Sequence, residues 1–149
     1  MTNYGLATYQ QGDVTSTAIV FEQQYFDLKT AYSAVYPNNS QIPAWTCDVT
    51  IALSQWQKIS ADVDAFAQAA AKQLASLKPI SGDYQVLAPF KPTTIFGTAS
   101  NYHEHAAEMN TILAAKPDSS PYVFMKATTS VVGTNEYVIL PPETKKLDW

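Results

Sequence analysis

The first 28 residues of the chain alternate between polar residues and β-branched or aromatic ones, as short strands do. Three such runs occupy residues 4–9, 17–21 and 25–28, and polar turns separate them at residues 10–13 and 22–24. Apolar runs bounded by turn-forming residues indicate a small antiparallel meander. The chain is therefore predicted to open with three paired strands.

Helical periodicity follows the strands. Thr50 is placed to cap a helix over residues 51–56, and a longer helix is predicted over residues 61–77. The longer segment carries one apolar stripe, formed by Val63, Phe66, Ala67, Ala70 and Leu74. Strands followed by helices predict an α+β accessory module over residues 1–85. Its core is expected to contain Leu6, Ile19, Phe21, Leu28, Phe66 and Leu74.

Composition restricts the kinds of partner. The net charge is −4, and all nine basic residues are lysine, which argues against nucleic acid or an anionic membrane. The single cysteine, Cys47, excludes an internal disulfide and is expected to be a small buried hydrophobic side chain. No run of about 18 apolar residues and no basic leader are present, so we expect a soluble, cytoplasmic protein.

Titratable side chains are concentrated in residues 100–108, which contain both histidines of the chain. Ser100 or Asn101 could cap a helix there, and the helix is predicted over residues 102–115. Gly97, just before it, is expected to allow a tight turn that brings backbone N–H groups close to a bound oxyanion.

Two interpretations of this helix are open. Residues three apart share a helix face, so His105 and Glu108 point the same way. A carboxylate that fixes the tautomer of a histidine is a common arrangement for a general base. Alternatively, the acids lie in a solvated first turn only because they complement the helix dipole. Spacing alone favours the second interpretation.

Five sequence blocks in the second half together support the first interpretation. In chain order they are residues 95–97 (I-F-G), 101–109 (N-Y-H-E-H-A-A-E-M), 121–126 (P-Y-V-F-M-K), 137–141 (Y-V-I-L-P) and 147–149 (L-D-W). Their order and spacing resemble the opening of the catalytic domain in the fumarylacetoacetate hydrolase family. The resemblance covers residues 87–149.

The resemblance implies a fold and a set of site residues. Residues 86–149 would begin a mainly-β catalytic domain of the β-roll type, with strands at residues 122–126 and 138–140. A lysine ending the F-x-K block would face the active site, although a solvated strand end is the simpler interpretation. The implied catalytic residues are His105, Glu108 and Lys126, and the implied substrate-binding residues are Asn101, Tyr102 and Lys126.

A divalent metal, Mg²⁺ or Mn²⁺, is also implied, and oxygen-rich coordination suits either ion. In the family its ligands are the acids of an E-x-E motif after L-D-W and a later aspartate, so no metal ligand is expected within these 149 residues. The implied partners are a small acidic substrate, a C-terminal half of the enzyme from the same gene or a second chain, and a second copy in a homodimer. Thr98 stands where the larger fumarylacetoacetase branch has an aspartate, which disfavours that branch.

The implied activity is that of a metal-dependent hydrolase or lyase acting on C–C bonds of 2-oxo or β-diketo acids, such as acylpyruvate or oxaloacetate. The reaction would pass through a metal-stabilised enolate, which hydrolysis, decarboxylation and isomerisation share. An isomerase or tautomerase acting on the same substrates, or a truncated non-catalytic subunit, is the alternative. The chain alone is expected to be inactive.

Overall fold

The computed structural model describes residues 2–99, 102–113, 118 and 120–145. These residues form two compact units, one from Met1–Phe90 with Val132–Trp149 and the other from Lys91–Val131. Helices and antiparallel strands are both present, which agrees with the α+β class. The division at residues 85 and 86 and the β-roll domain stay predictions. No helix in the described ranges is long and apolar enough to cross a bilayer.

A four-stranded antiparallel sheet, in the order β3-β2-β1-β4, organises the first unit. Its strands are β1 (Gly5–Gln11), β2 (Val14–Phe21), β3 (Gln24–Asp27) and β4 (Gln85–Val86). The predicted meander of the first three strands is confirmed. The two-residue strand β4, which pairs with β1 at Tyr9 and Gln10, was not predicted. Its register depends on chain folding back from residue 85, which local patterning does not encode.

The described part of the first unit contains three α-helices: α1 (Leu28–Val35), α2 (Val49–Ser54) and α3 (Trp56–Lys72). The predicted strand at residues 25–28 ends at Asp27, because the Asp27 carboxylate caps α1 by accepting a hydrogen bond from the Thr30 N–H at 2.8 Å. The cap of α2 is Asp48, not Thr50. Four of the five predicted stripe residues are buried on α3, but Leu74 lies beyond it. Helix α3 runs from Trp56 to Lys72 instead of over residues 61–77, and Leu74–Ser76 form a 3₁₀ turn.

The core of the first unit lies between the sheet and the helices. Of the predicted core residues, Ile19, Phe21, Leu28 and Phe66 are buried, whereas Leu6 and Leu74 are partly buried at its edge. Aromatic rings make up much of the rest, with Phe66 packed 5.3 Å from Tyr32 and 6.0 Å from Trp45 between ring centroids. Cys47 is exposed, so its predicted burial is wrong. It directly follows the short 3₁₀ helix Ala44–Thr46, whose Trp45 is the buried side chain.

The second unit contains a two-stranded antiparallel sheet and a short helix. Strands β5 (Ile95–Ala99) and β6 (Tyr122–Lys126) pair with Gly97 opposite Phe124, and α4 (His103–Glu108) lies between them in sequence. The predicted turn at Gly97 is wrong, because this glycine lies inside β5. A Cβ atom there would clash with the Phe124 ring, so the ring would have to move to admit any other residue at this position.

Helix α4 is shorter than predicted. Its N-cap is Tyr102 and it ends at Glu108, because Asn110 adopts φ +52°. The Asn110 N–H donates to Ala107 O at 3.0 Å and the Thr111 N–H donates to Ala106 O at 2.9 Å, which is the Schellman pattern of helix termination. The candidate caps Ser100 and Asn101 lie outside the described residues.

Residues 137–140 do not form the predicted strand, and their side chains are 50–95% exposed. A strand requires a hydrogen-bonded neighbour, and within residues 120–145 and the other described ranges no ladder includes this segment. The predicted strand at residues 138–140 is therefore wrong for the described structure, because an apolar run without a paired neighbour does not form a ladder.

Candidate functional site

Helix α4 buries one side chain, that of Ala106. Ala106 is 3% exposed and is the buried residue of the helix, whereas His103, Glu104 and Glu108 are exposed. The first turn closes through the Ala106 N–H, which donates to Tyr102 O at 3.1 Å. With Ala106 facing inward, the acids and histidines of α4 are left accessible to a ligand.

His105 and Glu108 are in contact, as their spacing predicted. The distance from His105 Nδ1 to Glu108 Oε2 is 3.5 Å, and the two side chains are 37% and 73% exposed. At that length the contact is too long for a strong hydrogen bond, and it is an ion pair only when the imidazole is protonated. Exposed pairs of this kind contribute only about 0–1 kcal/mol to stability. The contact therefore matters more for orienting the imidazole than for holding the fold.

Tyr102 stacks on the same imidazole. The ring centroids of Tyr102 and His105 are 5.3 Å apart and the ring planes are inclined by 26°. The resemblance assigned Tyr102 to substrate binding, which stays a prediction, and the contact with His105 was not foreseen. Their separation of three positions is the sequence signal that could have indicated it.

The other predicted site residues are less constrained. Lys126 is the last residue of β6, lies opposite Ile95 in the sheet register and is exposed. Among the described residues, no carboxylate is recorded within ion-pair distance of it. Asn101 lies outside the described residues. The roles of all five predicted site residues stay predictions.

The described residues do not fit the implied metal. Nowhere in the described ranges do three or more His, Cys, Asp or Glu side chains come together as a metal site would require. His105 and Glu108 are only two groups, and Mg²⁺ takes about six oxygen ligands, several of them waters.

A separate groove of about 980 Å³ lies on the first unit. Its walls include the aromatic residues Tyr32, Tyr36 and Trp45 and the polar residues Gln55 and Asp62. Tyr32 and Trp45 are largely buried in the core, and the groove has no histidine, lysine or cysteine in its lining. It offers no general base comparable to His105.

Comparison with known proteins defines the class. Over 83 residues the chain is 35% identical to the mitochondrial oxaloacetate tautomerase Fahd2a of Rattus norvegicus, covering 54% of this chain and 25% of that protein. Over 88 residues it is 33% identical to a 2,4-didehydro-3-deoxy-L-rhamnonate hydrolase of Sphingomonas sp., covering 58% and 30%. Such relatives are hydrolases and isomerases, so the class is that of an enzyme family. The alignments span less than a third of either relative's length.

A family model matches the segment that contains α4. Residues 94–149 match the model described as fumarylacetoacetate (FAA) hydrolase C-terminal, and this part of the chain is similar to that family. The match takes in β5, α4 and β6, and with them His105, Glu108 and Lys126. The resemblance found in the sequence is thereby confirmed.

Proposed function

We propose that this chain supplies the proton-transfer part of an enzyme that cleaves C–C bonds of 2-oxo or β-diketo acids, such as acylpyruvate or oxaloacetate. The observation that carries the proposal is the contact of His105 Nδ1 with Glu108 Oε2 on a helix inside the family segment. A histidine oriented by a carboxylate is suited to acid–base catalysis near neutral pH.

The contact assigns a role to each ring nitrogen of His105. Glu108 favours the tautomer that carries its proton on Nδ1, because a carboxylate near Nδ1 stabilises an N–H at that position. The lone pair then lies on Nε2, at the opposite edge of the ring. Nε2 is the atom we assign as the base.

For hydrolysis of a β-diketo acid, Nε2 takes a proton from water, and the hydroxide adds to the carbonyl carbon remote from the 2-oxo acid end. The C–C bond breaks, its electron pair forms the enolate of the 2-oxo acid, and the other product is a carboxylic acid. The proton on Nε2 is returned to the enolate carbon. Lys126 is proposed to stabilise the enolate charge, since a cation at a developing negative charge lowers the barrier.

A tautomerase is the second candidate, favoured by the names of relatives that include oxaloacetate tautomerases of Rattus norvegicus and Homo sapiens. The same Nε2 would remove a proton from the carbon next to the 2-oxo carbonyl, and the oxygen would gain one. No C–C bond breaks in this reaction. NMR analysis of the products separates the two candidates.

The metal and the partners belong to the proposal as well. A divalent cation, Mg²⁺ or Mn²⁺, would need ligands other than the described residues, in a further part of the protein or a second chain. A small acidic substrate, a homodimeric assembly and a cytoplasmic location complete the proposal.

The test measures turnover of oxaloacetate and acylpyruvates by the whole protein, meaning this chain together with the proposed C-terminal half of the enzyme. Two matched variants of it are measured in the same way. His105→Ala is expected to lose about 10²–10⁴-fold in rate, the usual contribution of a general base. His103→Ala, on the same helix, is expected to retain activity, and the metal content of both should match that of the wild type. Equal rates in the two variants would remove His105 from the mechanism. Absence of turnover in the wild type would favour the non-catalytic alternative.

A further inference from the structure

The residue that begins α4 does not act as a helix cap. Tyr102 occupies the N-cap position with extended φ and ψ of −145° and 153°, and its side chain makes no capping hydrogen bond. Ser, Thr, Asp and Asn are preferred there because their oxygens accept from the first free N–H groups. A residue that breaks a local rule of this kind often serves the site instead of the fold.

What the Tyr102 side chain does instead is cover one face of the His105 imidazole, at 5.3 Å between centroids and 26° between planes. Stacking restricts the plane of the ring, although the Tyr102 side chain is itself 54% exposed. It does not distinguish a ring from the same ring rotated by 180° about Cβ–Cγ, because that rotation keeps the plane and exchanges the two edges.

Glu108 supplies the missing distinction, since its carboxylate lies 3.5 Å from Nδ1. By itself, however, Glu108 is a weak restraint, because its side chain is 73% exposed and has several free torsions. The contact with Tyr102 selects the plane of the imidazole ring, and the contact with Glu108 selects which edge of the ring faces the carboxylate. Together the two contacts define one orientation of the imidazole.

We propose that Tyr102 is a positioning residue for His105: its ring holds the imidazole plane so that Glu108 meets Nδ1 and Nε2 is directed at the substrate. This proposal rests on the proposed function of His105 as the base. It differs from the substrate-binding role implied by the resemblance, because here the aromatic face of Tyr102 is needed and its hydroxyl is not.

The first test is a spectroscopic one on the 149-residue chain. His103→Gln leaves His105 as the single histidine, and ¹⁵N–¹H correlation of its side chain at a pH where the ring is neutral reports the tautomer. In the His103→Gln protein, we expect one dominant tautomer of His105, with the proton on Nδ1. The same result is expected when Tyr102→Phe is added. With Tyr102→Leu, which keeps apolar bulk but removes the aromatic face, the spectrum should show a mixture. An unchanged tautomer in the leucine variant would overturn the proposal.

The second test measures turnover of the whole protein with oxaloacetate. Tyr102→Leu should lower kcat by about 10–100-fold, in line with the cost of misplacing a catalytic group. Tyr102→Phe should keep the kcat of the wild type. Loss of turnover in the phenylalanine variant with an unchanged tautomer would show that the hydroxyl acts on the substrate, and would overturn the positioning role. Unimpaired turnover in His105→Ala would instead reject the proposed function, and the tautomer measurement would still decide whether Tyr102 orients the ring.

Discussion

Glu108 is a residue whose chemical role can be separated from any structural one, because its side chain is 73% exposed. Glu108→Gln keeps the size of the side chain and removes the charge that orients His105. We expect the rate to fall by up to about 10²–10⁴-fold. The free energy of unfolding should change by less than about 0.5 kcal/mol, as for most surface substitutions.

Glu104 provides the matched control, since it is an exposed glutamate on the same helix. Glu104→Gln should retain turnover, measured with the same substrates. Equal losses in the two variants would mean that general negative charge on α4, not the contact with His105, accounts for the effect.

The surroundings of Tyr4 lead to a prediction about how folding stability depends on pH. Burial, and then the hydrogen bond that Tyr4 Oη donates to Asp64 Oδ1 at 2.7 Å, raise the pKa of Tyr4 from 10.0 to about 12. The unfolded chain releases this proton at lower pH than the folded one does. Between these two pKa values the folded state binds more protons, so stability falls as pH rises. This contribution is fully present below pH 10.

Tyr4→Phe should remove this alkaline dependence. Urea unfolding at about pH 9 and at about pH 11 should show a smaller loss of midpoint in the variant than in the wild type. Identical losses in the two proteins would show that Tyr4 ionises alike in the folded and unfolded states.

At the scale of elements, the packing of α3 against the core is centred on one aromatic side chain. Phe66 is fully buried, and its ring packs against those of Tyr32, Tyr36 and Trp45. Phe66→Ala should cost about 3–5 kcal/mol of unfolding free energy, because it removes apolar contact and leaves a cavity. Gln68→Ala, on the exposed side of α3, is the control and should change stability by less than about 0.5 kcal/mol. A cost below about 1 kcal/mol for Phe66→Ala would contradict the observed packing.

Element boundaries were harder to predict than element types. The β1–β3 meander and the α3 stripe follow directly from periods of 2 and 3.6. Helix α1 was missed because Leu28–Val35 continues an apolar strand, and only the capping carboxylate of Asp27 marks the change. Helix α4 was extended too far because Asn110, whose left-handed conformation ends it, was not recognised as a stop signal.

At the scale of the whole molecule, only those site contacts that join residues close in sequence can be predicted. His105 and Glu108 are three residues apart on one helix, so their contact follows from sequence. A metal cage or a substrate pocket joins residues distant in sequence, and spacing cannot supply their geometry. The stacking of Tyr102 on His105 is also a local contact, but it was not predicted. The rules for N-cap residues give no role to a tyrosine at that position.

The second unit exposes apolar side chains on β6: Tyr122, Val123, Phe124 and Met125 are each 42–72% exposed. Two-stranded sheets are marginal alone, and exposed apolar patches usually mark surfaces that other protein covers. This agrees with the proposal that a further part of the enzyme, or a second chain, packs here. It is also why activity is best measured on the whole protein.

The central claim is that His105 transfers the proton, and isotope exchange tests it most directly. The whole protein is incubated with pyruvate, an enolisable 2-oxo acid, in D₂O, and deuterium entry at the carbon next to the 2-oxo carbonyl is followed by NMR. The wild type should exchange this proton, and His105→Ala should be slower by about 10²-fold or more, with His103→Ala unaffected. Exchange in His105→Ala at the wild-type rate would contradict the account.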